Sequence, residues 1–224
     1  MLATLESALL ARPTARSIDA DAREHGLRVG ALAGRIAEAL GMTPLACRRL
    51  AAAAVPHDIG KTAIPPEILF HPGPLDEAQL AIVRGHVVAG ERLARRYSGE
   101  YGILAGVIAR SHHERFDGHG YPDGLAGDSI PLAVAIVSVA DVFDALTSDR
   151  PYREAFSHAE ALGLMRRERG GQFAPAVLDA FLDRVAPRRI VAPPRLAIAP
   201  SRAPELPRTT FRYRRADRRT AVAS

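Results

Sequence analysis

Residues 131–146, PLAVAIVSVADVFDAL, are apolar almost all the way round a helix, and this run restricts the fold more than any other. A helix without a polar face has to be covered on every side by other elements. It falls short of the roughly 20 residues needed to span a bilayer, so the cover must come from the rest of the protein. Asp141 stands inside the run, between Ala140 and Val142. Burying a carboxylate there is costly unless a cation or hydrogen bonds compensate. The helix that organises the core therefore also marks a candidate site.

The elements available to cover it are helices. A short amphipathic helix is predicted over 2–11, closed by Pro13. Leu27, Leu32, Ile36 and Leu40 recur at helical spacing from Asp19 to Leu40, and Gly41 ends that run. Thr43-Pro44 supplies an N-cap and a first-turn proline for a helix running through LACRRLAAAAV to His57-Asp58. Residues 62–75 hold four prolines and read as loop, with one helical turn at 66–69. Asp76 opens a long helix to Tyr97, and another covers 101–113. Residues 114–130 are rich in Gly and Asp and form a long loop, a feature that is usually functional inside a compact domain. Ser157 caps a helix that stops at Gly170-Gly171, and a last helix spans 175–185. No strand pattern competes with these, so the expected class is all-α, a bundle of about seven helices.

The basic residues divide the chain. Residues 186–224 carry ten Arg against Glu205 and Asp217, which leaves twenty basic and twenty-three acidic residues in 1–185. The expected organisation is thus one mildly acidic domain over 1–185 and a Pro/Arg-rich, disordered tail over 186–224. Only the tail offers nucleic acid a basic surface. Of the thirty basic residues Lys61 is the single lysine, three positions after His57-Asp58. Lysine is a compact point charge where arginine is a flat fork, which points to a chemical reason for keeping it. One cysteine, Cys47, excludes an internal disulfide and fits a reducing compartment. The first residues lack the basic start of a signal peptide, so a cytoplasmic, non-membrane protein is expected.

The chemistry lies in an ordered set: His25, His57-Asp58, His86, His112-His113 and Asp141. Each piece alone is weak. Together they distribute imidazoles and carboxylates over five helices, with the Gly-rich loop between the last two. Nitrogen and oxygen donors of this kind suit Mn, Fe and Zn. His71, His119 and His158 fall outside the set, while Glu114 and Asp117 are expected to shape the loop and buttress the ligands.

Four segments, HDIGKTAIPPEIL (57–69), GHVVAGERL (85–93), SHHERFDGHGYPDGLAGDSIP (111–131) and VADVFDALTSDRPYREAFS (139–157), closely resemble the HD-GYP subgroup of the HD-domain metal-dependent phosphohydrolases. The resemblance covers about residues 17–185 and implies an HD-type helical bundle with a GYP loop. It implies a cyclic di-GMP phosphodiesterase that yields pGpG, with GMP as a further product left open. His57, Asp58, His86, His112, His113 and Asp141 would be metal ligands, Asp58 bridging two ions and activating the reaction together with Lys61. His25 matches a further ligand. Some members hold a third ion through a Glu four residues before it; here that residue is Asp21, one methylene shorter, so two or three divalent ions, Fe or Mn, remain open. Lys61, Tyr121, Arg150 and Arg153 would contact the nucleotide, and signalling proteins would meet the GYP loop. Two other readings stay open: a phosphohydrolase of another cyclic dinucleotide or nucleotide, and a catalytically silent sensor or interaction module.

Overall fold

The computed structural model describes residues 18–149 and 154–186, with side chains from residue 23 onward. The expected helix at 2–11, the side chain of Asp21, Arg150, Arg153 and the tail after Ala186 lie outside the described residues.

Helix α1, Ile18–Ala39, turns Val29, Leu32, Ala33, Ile36 and Ala37 into the core. Its neighbour α2, Pro44–Ala54, is capped by Thr43, whose side chain accepts the Ala46 N–H at 3.3 Å. The two helices pack with almost no side chain between them at Gly30, where a Cβ would lie 2.5 Å from the Ala51 carbonyl oxygen. That close crossing brings His25, on α1, beside the end of α2.

After Ala54 the chain leaves the α-helix, so His57 and Asp58 sit in a turn and not on the helix end. A 3-10 turn, Ile59–Ala63, and a single α-turn, α3 (Pro66–Leu69), follow. Asp76 and Gln79 form a reciprocal cap on α4, Glu77–Arg84. The rod expected over 76–97 is broken: the Gly85 N–H is shared between the Ala81 and Ile82 carbonyls, and α5 runs separately from His86 to Ala94. Helix α6, Gly99–Ser111, stops just before His112-His113, which lie in the following turn.

Helix α7, Leu132–Thr147, occupies the centre as its composition requires. Every residue from Ile136 to Leu146 is buried. Fully burying each large apolar side chain contributes about 1.5–3 kcal/mol, which together offsets the cost of Asp141 and Asp144 on the same helix. α8 (His158–Arg167) is capped by Ser157 and Glu160, and α9 (Pro175–Ala180) continues into a π-helical turn, Phe181–Val185. Among the described residues there is no strand, only isolated bridges at Asp117–Ala126 and Arg169–Phe173. No described helix is long and apolar enough to cross a membrane.

Candidate metal centre

Four imidazoles converge on the Asp58 carboxylate. Asp58 Oδ1 lies 3.4 Å from His86 Nε2 and 3.6 Å from His112 Nε2, and Oδ2 lies 3.6 Å from His57 Nε2. His113 joins Asp58, His86 and His112 in one group whose donor atoms all fall within 4.8 Å of one another. A second group, His25, His57 and Asp58, and a third, His57, His112 and Asp141, meet the same criterion. Asp58 therefore belongs to two groups and His57 to two, which is the arrangement expected of neighbouring ions sharing donors.

The backs of three rings explain their aim. His57 Nδ1 is 2.9 Å from the Ala54 carbonyl, His86 Nδ1 is 2.7 Å from Val83, and His112 Nδ1 is 3.1 Å from Ala109. A carbonyl can only accept, so each Nδ1 carries the proton and each Nε2 presents a lone pair inward. The Nε2 atoms of His57, His86, His112 and His113 and Oδ1 of Asp58 are buried without a hydrogen-bond partner. Orphaned buried acceptors are costly and rare, and a divalent cation satisfies all of them. The donor set fits such an ion.

The charges agree. Burial, helped by the neighbouring imidazoles, holds His113 well below the usual histidine range and also lowers His112, so both are neutral donors. Burial pushes the Asp58 carboxyl up, but Lys61 and His57 outweigh it and hold the group well below the ordinary value. Lys61 Nζ donates to Asp58 Oδ2 at 2.6 Å. Asp141 is likewise held low against burial by His25, whose Nε2 lies 3.1 Å from Oδ1, and by the neighbouring His57 ring. Burial works to lower His25, but hydrogen bonds to Asp141 and Asp144 raise it to about 9.

The Gly-rich loop is fastened over this cluster. Tyr121 stacks on His113, with ring centroids 4.9 Å apart, and donates its backbone N–H to the His113 carbonyl. The Arg84 guanidinium lies 5.3 Å from the centre of the Tyr121 ring. Arg110 grips Asp123 through two bonds of 2.7 Å. Glu114, only 2% exposed, accepts the backbone N–H groups of Asp123 at 2.8 Å and Leu125 at 3.0 Å. Asp117 instead pairs with Arg115, which also reaches Glu168. Glu114→Gln would turn one acceptor into a donor facing an N–H, a loss of about 1–3 kcal/mol. Amide exchange at Asp123 and Leu125 should accelerate roughly tenfold or more; unchanged protection at both amides would refute this role for Glu114.

His25, His57, Asp58, Lys61, His86, His112, His113 and Asp141 are thus brought together, with Tyr121 at their edge. Two residues unmarked in the sequence reading, Asp144 and Arg28, also enter: Asp144 accepts from Arg28 Nε at 2.7 Å and is 2.7 Å from His25 Nδ1. Asp144 carried a signal, since it is a second carboxylate in the run that drew attention to Asp141.

The chain matches the HD domain family over residues 2–177. It is 44% identical over 155 residues to the cyclic di-GMP phosphodiesterase response regulator RpfG of Xanthomonas campestris pv. campestris, a match covering 69% of this chain and 41% of that one. It is 35% identical over 172 residues to the 3'3'-cGAMP-specific phosphodiesterase 2 of Vibrio cholerae, covering 75% of this chain and 33% of the relative. The chain thus spans less than half the length of these relatives. Among solved structures, Bd1817, an HDG"Y"P protein from Bdellovibrio bacteriovorus, shares the fold with a TM-score of 0.59 at 22% identity, over 82% of this chain and 57% of that one.

Proposed function

The chain belongs to the HD domain family with the motifs of its HD-GYP subgroup, and we propose that it is a metal-dependent phosphodiesterase that opens cyclic di-GMP to linear pGpG. The observation that carries this reading is the set of buried, unpartnered Nε2 atoms of His57, His86, His112 and His113 around Asp58. His57, Asp58, His86, His112, His113 and Asp141 would hold two ions, and His25, with Asp21, would serve a third. Imidazole-rich ligation favours Fe or Mn over Mg. Bound ions would neutralise phosphoryl charge and supply hydroxide near neutral pH.

The remaining work falls to the chain's own side chains. Asp58 stays ionised through the neutral range and so keeps its charge for the centre. Lys61, held 2.6 Å from Asp58, places a point charge where a non-bridging phosphate oxygen would approach. Tyr121, half-buried against His113, offers a ring edge to the nucleotide, and Arg150 and Arg153 would take its phosphates. The exposed loop tip, Pro122–Gly124, is available to signalling partners. The free thiol of Cys47 agrees with a reducing, cytoplasmic setting.

A second reading, turnover of 3'3'-cGAMP, is favoured by the relatives that carry that name. The full chain, loaded with Mn(II) or anaerobically with Fe(II), should convert cyclic di-GMP to pGpG on chromatography. Its kcat/KM should exceed that for 3'3'-cGAMP by roughly tenfold, a difference of about 1.4 kcal/mol at the transition state. The reverse preference would establish the second reading. Nucleotide binding without turnover under either metal would make the protein a sensor.

A further inference from the structure

His25 is held differently from the other rings of the centre. His57, His86 and His112 are tethered through Nδ1 to carbonyls three or four residues earlier, so their aim is built into the local backbone. His25 Nδ1 instead reaches from α1 across to α7 and meets the Asp144 carboxylate at 2.7 Å. Asp144 is committed to this task. Its Oδ1 accepts from Arg28 Nε at 2.7 Å; its Oδ2 takes His25 Nδ1 and accepts Arg28 Nη2 at 3.0 Å, with Ser148 Oγ at 3.4 Å. Both oxygens are thus taken up by His25, Arg28 and Ser148, and Asp144 belongs to none of the candidate ligand groups.

We infer that Asp144, clamped by Arg28, is the positioning residue of His25 and controls cation binding at the His25 end of the centre separately from the Asp58–His86–His112–His113 end. A carboxylate that takes the far N–H of a ligating imidazole fixes the ring's tautomer and direction and strengthens its donor nitrogen. Here the same carboxylate is fixed by a forked guanidinium, so His25 Nε2 is directed at Asp141, 3.1 Å away, with little freedom to turn. Arg28 follows His25 by three residues on α1, so ligand and clamp share one helical face. Metal occupancy at this end thus depends on side chains that touch no ion, and it can change while the other end stays loaded. The inference rests on the reading of the cluster as a metal centre.

Mn(II) titrations by calorimetry, with metal analysis of the dialysed full-length protein, test it without reference to turnover. His25→Ala identifies the binding step that belongs to this end. Asp144→Asn, which keeps the size of the side chain, should weaken that step roughly 10- to 100-fold and leave the other step unchanged. Arg28→Ala, at a side chain 40% exposed and tolerant of removal, should weaken the same step to a smaller degree. In a His25→Ala background, Asp144→Asn should have no further effect on Mn(II) binding, because it acts through the missing ring. Equal weakening of all steps, an unchanged titration in both variants, or additive losses in the double variant would overturn the inference while leaving the metal centre intact. Absence of Mn(II) binding by the unaltered protein would overturn both.

Discussion

Asp58→Ala is expected to leave the protein folded, unable to retain a full set of ions, and slower in turnover by about three orders of magnitude or more. The expectation follows from sharing. Asp58 belongs to the His86–His112–His113 group and to the His25–His57 group, so one substitution removes a donor from both. It also strips Lys61 of the partner 2.6 Å away and leaves its ammonium beside the now uncompensated rings. Losing His25, His86 or His113 would damage one group and losing His57 or His112 two, but each of these changes leaves the carboxylate beside Lys61 in place. Asp58→Asn separates charge from shape: it retains an oxygen of the same reach but loses the negative charge that Lys61 and His57 stabilise against burial. It should therefore resemble Asp58→Ala in metal content and turnover while matching the parent protein in packing. The check is metal content by mass spectrometry beside the rate on cyclic di-GMP; retained ions and retained rate in either variant would place the centre elsewhere.

The helices were legible in the chain because their determinants are local. Thr43-Pro44, Asp76 with Gln79, and Ser157 with Glu160 announce helix starts through side chains that reach only three residues. The central position of α7 could be read from its uniform apolarity, and Asp141 from being an ionisable group within it. What local pattern missed is set by contacts between distant segments. The break at Gly85 is one: both flanks keep helical periodicity, yet the next residue, His86, has its carbonyl pressed against Gly60 and its Nδ1 turned back to Val83. The 3-10 turn at Ile59–Ala63 is another, since it is short and packs on α5. Asp144 went unmarked because its meaning depends on Arg28 and His25, more than a hundred residues earlier. The histidine set itself could be recognised in order, but only the fold shows which rings are tied to backbone and which to a carboxylate.

Gly60→Ala should be the most damaging change of a residue that contacts neither ion nor nucleotide. The residue lies two positions after Asp58, in the 3-10 turn that rests on the first turn of α5. A Cβ at Gly60 would stand 2.5 Å from the Gly90 nitrogen and 2.9 Å from Gly90 Cα, and closer still to the His86 carbonyl oxygen. All three are backbone atoms, so no side chain can swing aside and the two segments must part. Overpacking of this kind costs about 1–3 kcal/mol, and more where the backbone must yield. Taking about 3 kcal/mol and roughly 2–4 °C per kcal/mol for a domain of this size, the melting temperature should fall by about 6–12 °C. The same displacement carries Asp58 away from His86, and a misplacement of ~1 Å in a reacting constellation can cost about a hundredfold in rate. Gly90→Ala, across the same contact, is the control. Its Cβ would meet Ala109 Cβ at 3.2 Å and the Gly60 nitrogen at 3.4 Å, contacts that shifts of a few tenths of an ångström relieve. Melting curves and metal content for the two variants should therefore diverge sharply. Equal losses would mean that the stability of α5, and not the fit of the His57–Lys61 turn against it, sets the spacing between Asp58 and His86.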